Sequence, residues 1–155
     1  MTKDAILVLC TGNSARSQMA EGLLRKSIGD RFDLFSAGTK PSFVRPEAIA
    51  VMAEIGIDIS GQRSKPVDEF MGRPFRYVIT VCDNARESCP VFPAQTERIH
   101  WSFEDPAAVE GTPEERLAAF RRIRDQMARR IARFVAGLSD EGAETGLSGP
   151  RQGPG

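Results

Sequence analysis

An α/β architecture, one domain with a four-stranded parallel sheet flanked by helices, is what the pattern of this 155-residue chain predicts. Apolar runs of strand length alternate with segments of helical spacing, the order expected of parallel strands joined by right-handed crossovers. The first run, Ala5-Ile6-Leu7-Val8-Leu9, carries no polar residue and is partly β-branched, as a strand buried on both faces requires. The length suits a single hydrophobic core and no more.

The elements follow in order. Ser17 to Arg25 has helix spacing, with Met19, Leu23 and Leu24 on one side. Phe32-Asp33-Leu34-Phe35-Ser36-Ala37 reads as a second strand, stopped by Gly38. Pro46 opens a helix through Ile55 that places Ala48, Val51, Met52 and Ile55 on one face, with Gly56 as its stop. A short helix is expected near Val67 to Met71. Tyr77-Val78-Ile79-Thr80-Val81 is dense in β-branched residues and reads as the third strand, and Arg98-Ile99-His100-Trp101 as a short fourth. The last helix is expected from about Thr112 to Leu138, with Leu117, Phe120, Met127, Ile131, Phe134 and Leu138 spaced by threes, fours and sevens. Residues 139–155 are Gly, Ser, Pro and charge, too poor in apolar side chains to order themselves, so the domain is expected over 1–138 and a flexible tail beyond it.

Between the first strand and the first helix stands Cys10-Thr11-Gly12-Asn13-Ser14-Ala15-Arg16-Ser17, a cysteine and an arginine separated by five small or polar residues. A strand-to-helix turn this short curls its backbone N–H groups inward and adds the positive end of the helix dipole. Thr11, Gly12, Asn13, Ser14, Ala15 and Arg16 are therefore the candidate cradle for a tetrahedral oxyanion. Cys10 is expected at its floor as a thiolate with a pKa well below the ~8.5 of a free thiol. Arg16 offers a planar fork for two anion oxygens. Gly12 and Asn13 both tolerate the positive φ that an anion-facing curl demands. Ser17 can donate to the Cys10 thiolate, and serine is equally suited to capping the helix. In α/β sheets ligands gather at the carboxyl ends of strands, where Cys10, Cys82 and the segment after Trp101 should meet on one rim.

Composition excludes several classes. Acidic and basic side chains balance at 21 each, so no overall field draws the chain to nucleic acid or an anionic membrane. The arginines of the last helix, Arg121, Arg122, Arg124, Arg129, Arg130 and Arg133, read as a solvated face beside the apolar stripe. No signal peptide or membrane span is evident, and a cytoplasmic, monomeric protein without a resident cofactor is expected. Three cysteines make an odd set, unlike a secreted disulfide framework. A metal module built on Cys82, Cys89 and His100 fits poorly, since six residues separate the cysteines where zinc sites use ~2–4. His100 is more simply a packed or surface histidine.

Cys10 to Arg16 on a strand–helix turn, with Asp105-Pro106 far downstream, resembles the low-molecular-weight tyrosine phosphatases. Cys82 and Cys89, in Val81-Cys82-Asp83-Asn84-Ala85-Arg86-Glu87-Ser88-Cys89-Pro90, make the chain similar to the arsenate reductases built on that fold, as does Asn13 to Glu21. The resemblance implies that Cys10 attacks arsenate, that Asp105 protonates the departing oxygen, and that Ser17 supports the thiolate. It implies a relay in which Cys82 attacks Cys10, Cys89 attacks Cys82, and thioredoxin reduces the final bridge. Asp-Pro also favours turns, so Asp105 has a purely local reading beside the catalytic one.

Three departures stand out. Relatives often carry a second loop cysteine where this chain has Ala15, a thiol the relay does not use. Some bind a monovalent cation near positions matching Asn13, Glu21 and Ser36; here Lys65 takes the place of the completing acid, and its ammonium is expected to stand where the cation would. A tyrosine phosphatase usually places tyrosines after the Asp-Pro, whereas this chain has Ala107-Ala108 and its sole tyrosine, Tyr77, in a strand. That favours a small inorganic oxyanion over an aryl phosphate. The segment from Cys82 to Cys89 is expected to reorganise on oxidation, because bridged Cα atoms lie ~4.4–6.8 Å apart.

Overall fold

Four parallel strands frame the molecule in a computed structural model that describes residues 3–82, 92 and 95–143. They are β1 (Asp4–Cys10), β2 (Phe32–Gly38), β3 (Tyr77–Thr80) and β4 (Glu97–His100). The sheet order is β2-β1-β3-β4, and every pairing is parallel. β1 therefore lies between strands reached in opposite directions, so its carboxyl end is the topological switch point where a crevice opens. Its register with β2 sets Cys10 opposite Gly38, and its register with β3 sets Leu9 opposite Thr80, two residues before Cys82.

The helices are α1 (Arg16–Ile28), α2 (Pro46–Ala53) and α3 (Pro113–Ala143). Short 3₁₀ turns cover Val67–Phe70 and Pro106–Ala108. α2 ends at Ala53, so Ile55 falls past the helix and is 41% exposed instead of joining Ala48, Val51 and Met52 in the core. The turn at Gly56, with φ of +79°, begins earlier than the apolar pattern implied. α3 continues five residues past Leu138, to Ala143.

β1 is the centre of the core: Ile6, Leu7, Val8 and Leu9 are fully buried. From α3, Phe120, Ile123, Met127, Ile131 and Phe134 close over the sheet. Phe134 meets Tyr77 edge-on at 5.2 Å and Trp101 at 5.6 Å. Truncating such a ring to alanine costs ~3–5 kcal/mol, enough to consume much of a domain's stability. One arginine departs from the solvated face expected of it. Arg124 is 8% exposed, donates to the Val51 carbonyl at 2.8 Å and pairs with Glu54 at 2.8 Å, joining α3 to α2. The last turn of α2 leaves the Val51 carbonyl free of a helix partner and sets the Glu54 carboxylate beside it, so together they satisfy a buried guanidinium that the linear pattern could not reveal.

Candidate active site

The loop between β1 and α1 is held from outside. The carbonyl of Cys10 accepts from Thr39 N at 3.2 Å, that of Thr11 from Lys40 N at 2.8 Å, and that of Gly12 from Ser42 N at 3.0 Å. Ser64 Oγ also donates to Gly12 O at 2.9 Å, Gln18 Nε2 to Asn13 O at 2.9 Å, and Arg45 N to Ser14 O at 2.9 Å. Five successive carbonyls are thus turned away from the concavity. Because each peptide is planar, that leaves the following N–H groups directed to the inner side. The turn is curled, and neighbouring segments fix its curvature.

Asn13 supplies the bend with φ of +48°, while Gly12, which tolerates that region equally well, does not use it. One left-handed residue suffices for the reversal. Its side chain is fully committed: Nδ2 donates to Ser17 Oγ at 2.7 Å and Ser36 Oγ at 3.0 Å, and Oδ1 accepts from Lys65 N at 2.8 Å. Ser36 in turn donates to Glu21, which pairs with Arg25 at 2.5 Å. Ser17 sits in the first turn of α1, behind an Ala15 N-cap that makes no side-chain cap bond, so the capping role does not apply to it. Its hydroxyl instead joins the buried network beneath the loop.

Cys10 is 4% exposed at the end of β1, and its thiol lies near that of Cys82, itself 5% exposed. Thr11 Oγ1 lies 3.3 Å from Cys82 Sγ. The expected depressed thiol pKa is not found. The Cys82 thiol, then burial, push Cys10 well above the ordinary thiol range, and Arg16 with the Thr11 N–H offset only part of this. Arg16 and the Thr11 N–H do favour the thiolate, yet the neighbouring Cys82 thiol and a dry environment outweigh them.

Arg16 Nη1 donates to Phe103 O at 2.9 Å, and its Nη2 lies 3.8 Å from Asp105 Oδ2. The segment after β4 thereby reaches the cradle, as the carboxyl-end rule anticipated. Asp105 fulfils the local reading too: its Oδ1 accepts from Ala107 N at 3.0 Å at the start of the 3₁₀ turn. Its side chain is 45% exposed, a rim position. Tyr77 is 1% exposed under Phe134, far from any role as a rim platform. His100 bonds Thr80 Oγ1 through Nδ1 at 2.7 Å.

Lys65 is 8% exposed, not a surface loop lysine. Its Nζ donates to Arg63 O at 2.8 Å, and burial draws its pKa below the ordinary lysine range while Glu21 opposes that drift. Cys89 and the switch segment Asp83 to Ser88 lie outside the described residues.

Two site residues escaped the sequence reading. Gly38, read as a strand stop, faces the cradle so closely that a Cβ there would meet Thr11 O at 2.5 Å and Asn13 N at 3.0 Å. Gln18, read only as part of a helix, bonds Asn13 O and Arg63 O at 2.9 Å each. The signal for Gln18 was a polar residue on the buried side of α1; for Gly38 there was none without the register.

A phosphatase-type anion cradle at the switch point of a parallel α/β sheet defines the class. The chain belongs to the low molecular weight phosphotyrosine protein phosphatase family, whose pattern it matches over residues 5–144. Its relatives within that family include arsenate reductases: that of Halalkalibacterium halodurans is 49% identical over 135 residues, covering 87% of this chain and 97% of the relative. The arsenate reductase of Bacillus subtilis is 42% identical over 135 residues, with the same coverage of 87% and 97%. A solved arsenate reductase in an oxidized state superposes with a TM-score of 0.74 at 34% identity, covering 86% of this chain and 97% of that one. A thioredoxin-dependent arsenate reductase of Corynebacterium glutamicum gives a TM-score of 0.58 at 29% identity, over 80% of this chain and 60% of that one.

Proposed function

We propose that this protein reduces arsenate to arsenite by a three-thiol relay, as a cytoplasmic monomer regenerated by thioredoxin. The observation that carries the reading is the nearness of two buried thiols, Cys10 and Cys82, at the Cys10-to-Arg16 turn, where Cys82 Sγ lies 3.3 Å from Thr11 Oγ1. A hydrolytic phosphatase has no use for a second thiol there; a reductase needs one.

The steps balance as follows. Arsenate lies in the Thr11–Ala15 curl, with the Arg16 fork on two of its oxygens. The Cys10 thiolate attacks arsenic, an arsenic–oxygen bond breaks, and Asp105 gives the departing oxygen its proton. Cys82 thiolate then attacks the Cys10 sulfur. The sulfur–arsenic bond breaks, its electron pair stays on arsenic, and arsenite leaves while Cys10–Cys82 forms as a disulfide. Cys89 attacks Cys82 and frees the Cys10 thiolate. An external dithiol reduces the Cys82–Cys89 bridge. Thr11 Oγ1 can donate to the Cys82 sulfur, which favours its thiolate at the moment of attack.

Residual hydrolysis of phosphate esters is consistent with the shared first step, but Ala107 and Ala108 give an aryl group nothing to stack on. The experiment is arsenate-dependent NADPH oxidation coupled through thioredoxin and its reductase. Cys82→Ser and Cys89→Ser each abolish sustained turnover. Equal rates for both variants and the parent would overturn the relay.

A further inference from the structure

We infer that Arg116, through Glu47, is the positioning residue that holds the acid turn at its working distance from the cradle. The inference rests on Asp105 being the general acid. Arg116 Nη1 donates to Val109 O at 2.5 Å and to Ala107 O at 3.4 Å, so it grips the backbone on both sides of the end of the Pro106–Ala108 turn. Its Nε and Nη2 both lie 3.2 Å from Glu47 Oε2. Glu47 stands in the first turn of α2, and the residue before that helix, Arg45, donates its N–H to Ser14 O in the cradle. A continuous tie therefore runs from the anion loop through α2 and Arg116 to the turn that begins at Asp105.

The second tie is Arg16, which holds Phe103 O and faces Asp105 at 3.8 Å. Arg16 cannot keep both jobs. An incoming tetrahedral anion competes for its guanidinium, since a fork bound to two anion oxygens has fewer donors for the rim. Once arsenate is seated, the Arg116–Glu47 tie is the one that remains. It is three-quarters shielded, both side chains being 25% exposed, which makes it firmer than a fully exposed pair. Small displacements of an acid matter: ~1 Å of misplacement costs up to ~10²-fold in rate.

The test compares single-turnover arsenite formation by pre-reduced parent, Arg116→Gln, Asp105→Asn and the double variant, with thermal melts as a folding control. Arg116→Gln is expected to lower the maximal rate about 10-fold, inside that ~10²-fold range, while the half-saturating arsenate concentration changes less than about two-fold. In the Asp105→Asn background the same substitution is expected to change nothing further, a coupling that a merely structural residue does not show. Glu47→Gln, which keeps the acceptor and drops the charge, should lose less than Glu47→Ala; this pair carries the test if Arg116→Gln fails to fold. An unchanged rate for Arg116→Gln, or equal losses in both backgrounds, overturns the tie while leaving the acid in place. An unchanged rate for Asp105→Asn removes the acid assignment and the tie with it.

Discussion

The anion loop and the acid turn face each other across the same crevice but are built by opposite means. The loop is fixed by backbone donors of the stretch 39–45 and by the Ser64 and Gln18 side chains, and its one left-handed residue, Asn13, is fully buried and saturated with partners. The acid turn is short and half-exposed, and two arginine side chains hold its carbonyls. The contrast follows from the task. An anion site must be pre-arranged before the ligand comes, whereas an acid must accept changes in Arg16 once it has arrived. The first region is held by the backbone around it, the second by guanidinium groups at its edges.

The largest effect should come from the sulfur pair within the loop. Cys82→Ala is expected to halt multiple turnover. Because it removes the main influence raising the Cys10 pKa, it should also speed alkylation of Cys10 by iodoacetamide at pH 7. Unchanged alkylation would show that burial alone keeps the thiol protonated. Next, Gly38→Ala forces a methyl group against Thr11 O, which already accepts from Lys40 N, and against Asn13 N. The expected cost is ~1–3 kcal/mol, seen as a melting temperature lower by ~2–10 °C, together with weaker arsenate binding. Asp105→Asn should separate the two regions most clearly: the rate falls ~10²-fold, with a melting temperature within about 2 °C of the parent. A large loss of stability there would erase the contrast.

Smaller effects lie further out. Glu54 is held at about 2 by Arg121 and Arg124, below its ordinary 4.5. Its contribution to stability is complete above about 4.5 and disappears as pH falls toward about 2, so acid melts of Glu54→Gln and parent should converge in that window. Salt should narrow the difference, since the carboxylate is exposed. Smallest of all is the expected response to potassium. With the Lys65 ammonium beside Glu21, replacing potassium by a large organic cation should leave activity unchanged. A clear loss would show that a cation still enters beside Asn13, Glu21 and Ser36.

Much of the fold and the cradle was legible in the chain because the information is local. An all-apolar strand, a Cys10-to-Arg16 turn and a helix beginning at once need no distant partner to be read, and β1 and α1 lie where the pattern put them. Ends of elements were less legible. Ile55 had the right period but fell beyond a helix that stops at Ala53, and Arg124 looked solvated until α2 supplied it with Val51 O and Glu54. Within the site, Gly38 carried no local mark of its role, since only its pairing with Cys10 brings it against the loop.

What the sequence determined by itself is the chemistry on offer: a nucleophilic sulfur, an anion-binding turn, an arginine fork and two further thiols, all set by residue type and short spacing. That Cys10, Cys82 and the segment after Trp101 share one rim followed from strand order, but tertiary structure alone decided how they meet there and in what protonation state. Cys82 arrives beside Cys10 by way of β3, Asp105 arrives by way of β4, and the Cys10 pKa rises where local reasoning had it fall. The physical reason is that a proton's affinity depends on every charge, dipole and water molecule within a few ångströms, and those neighbours come from segments far apart along the chain.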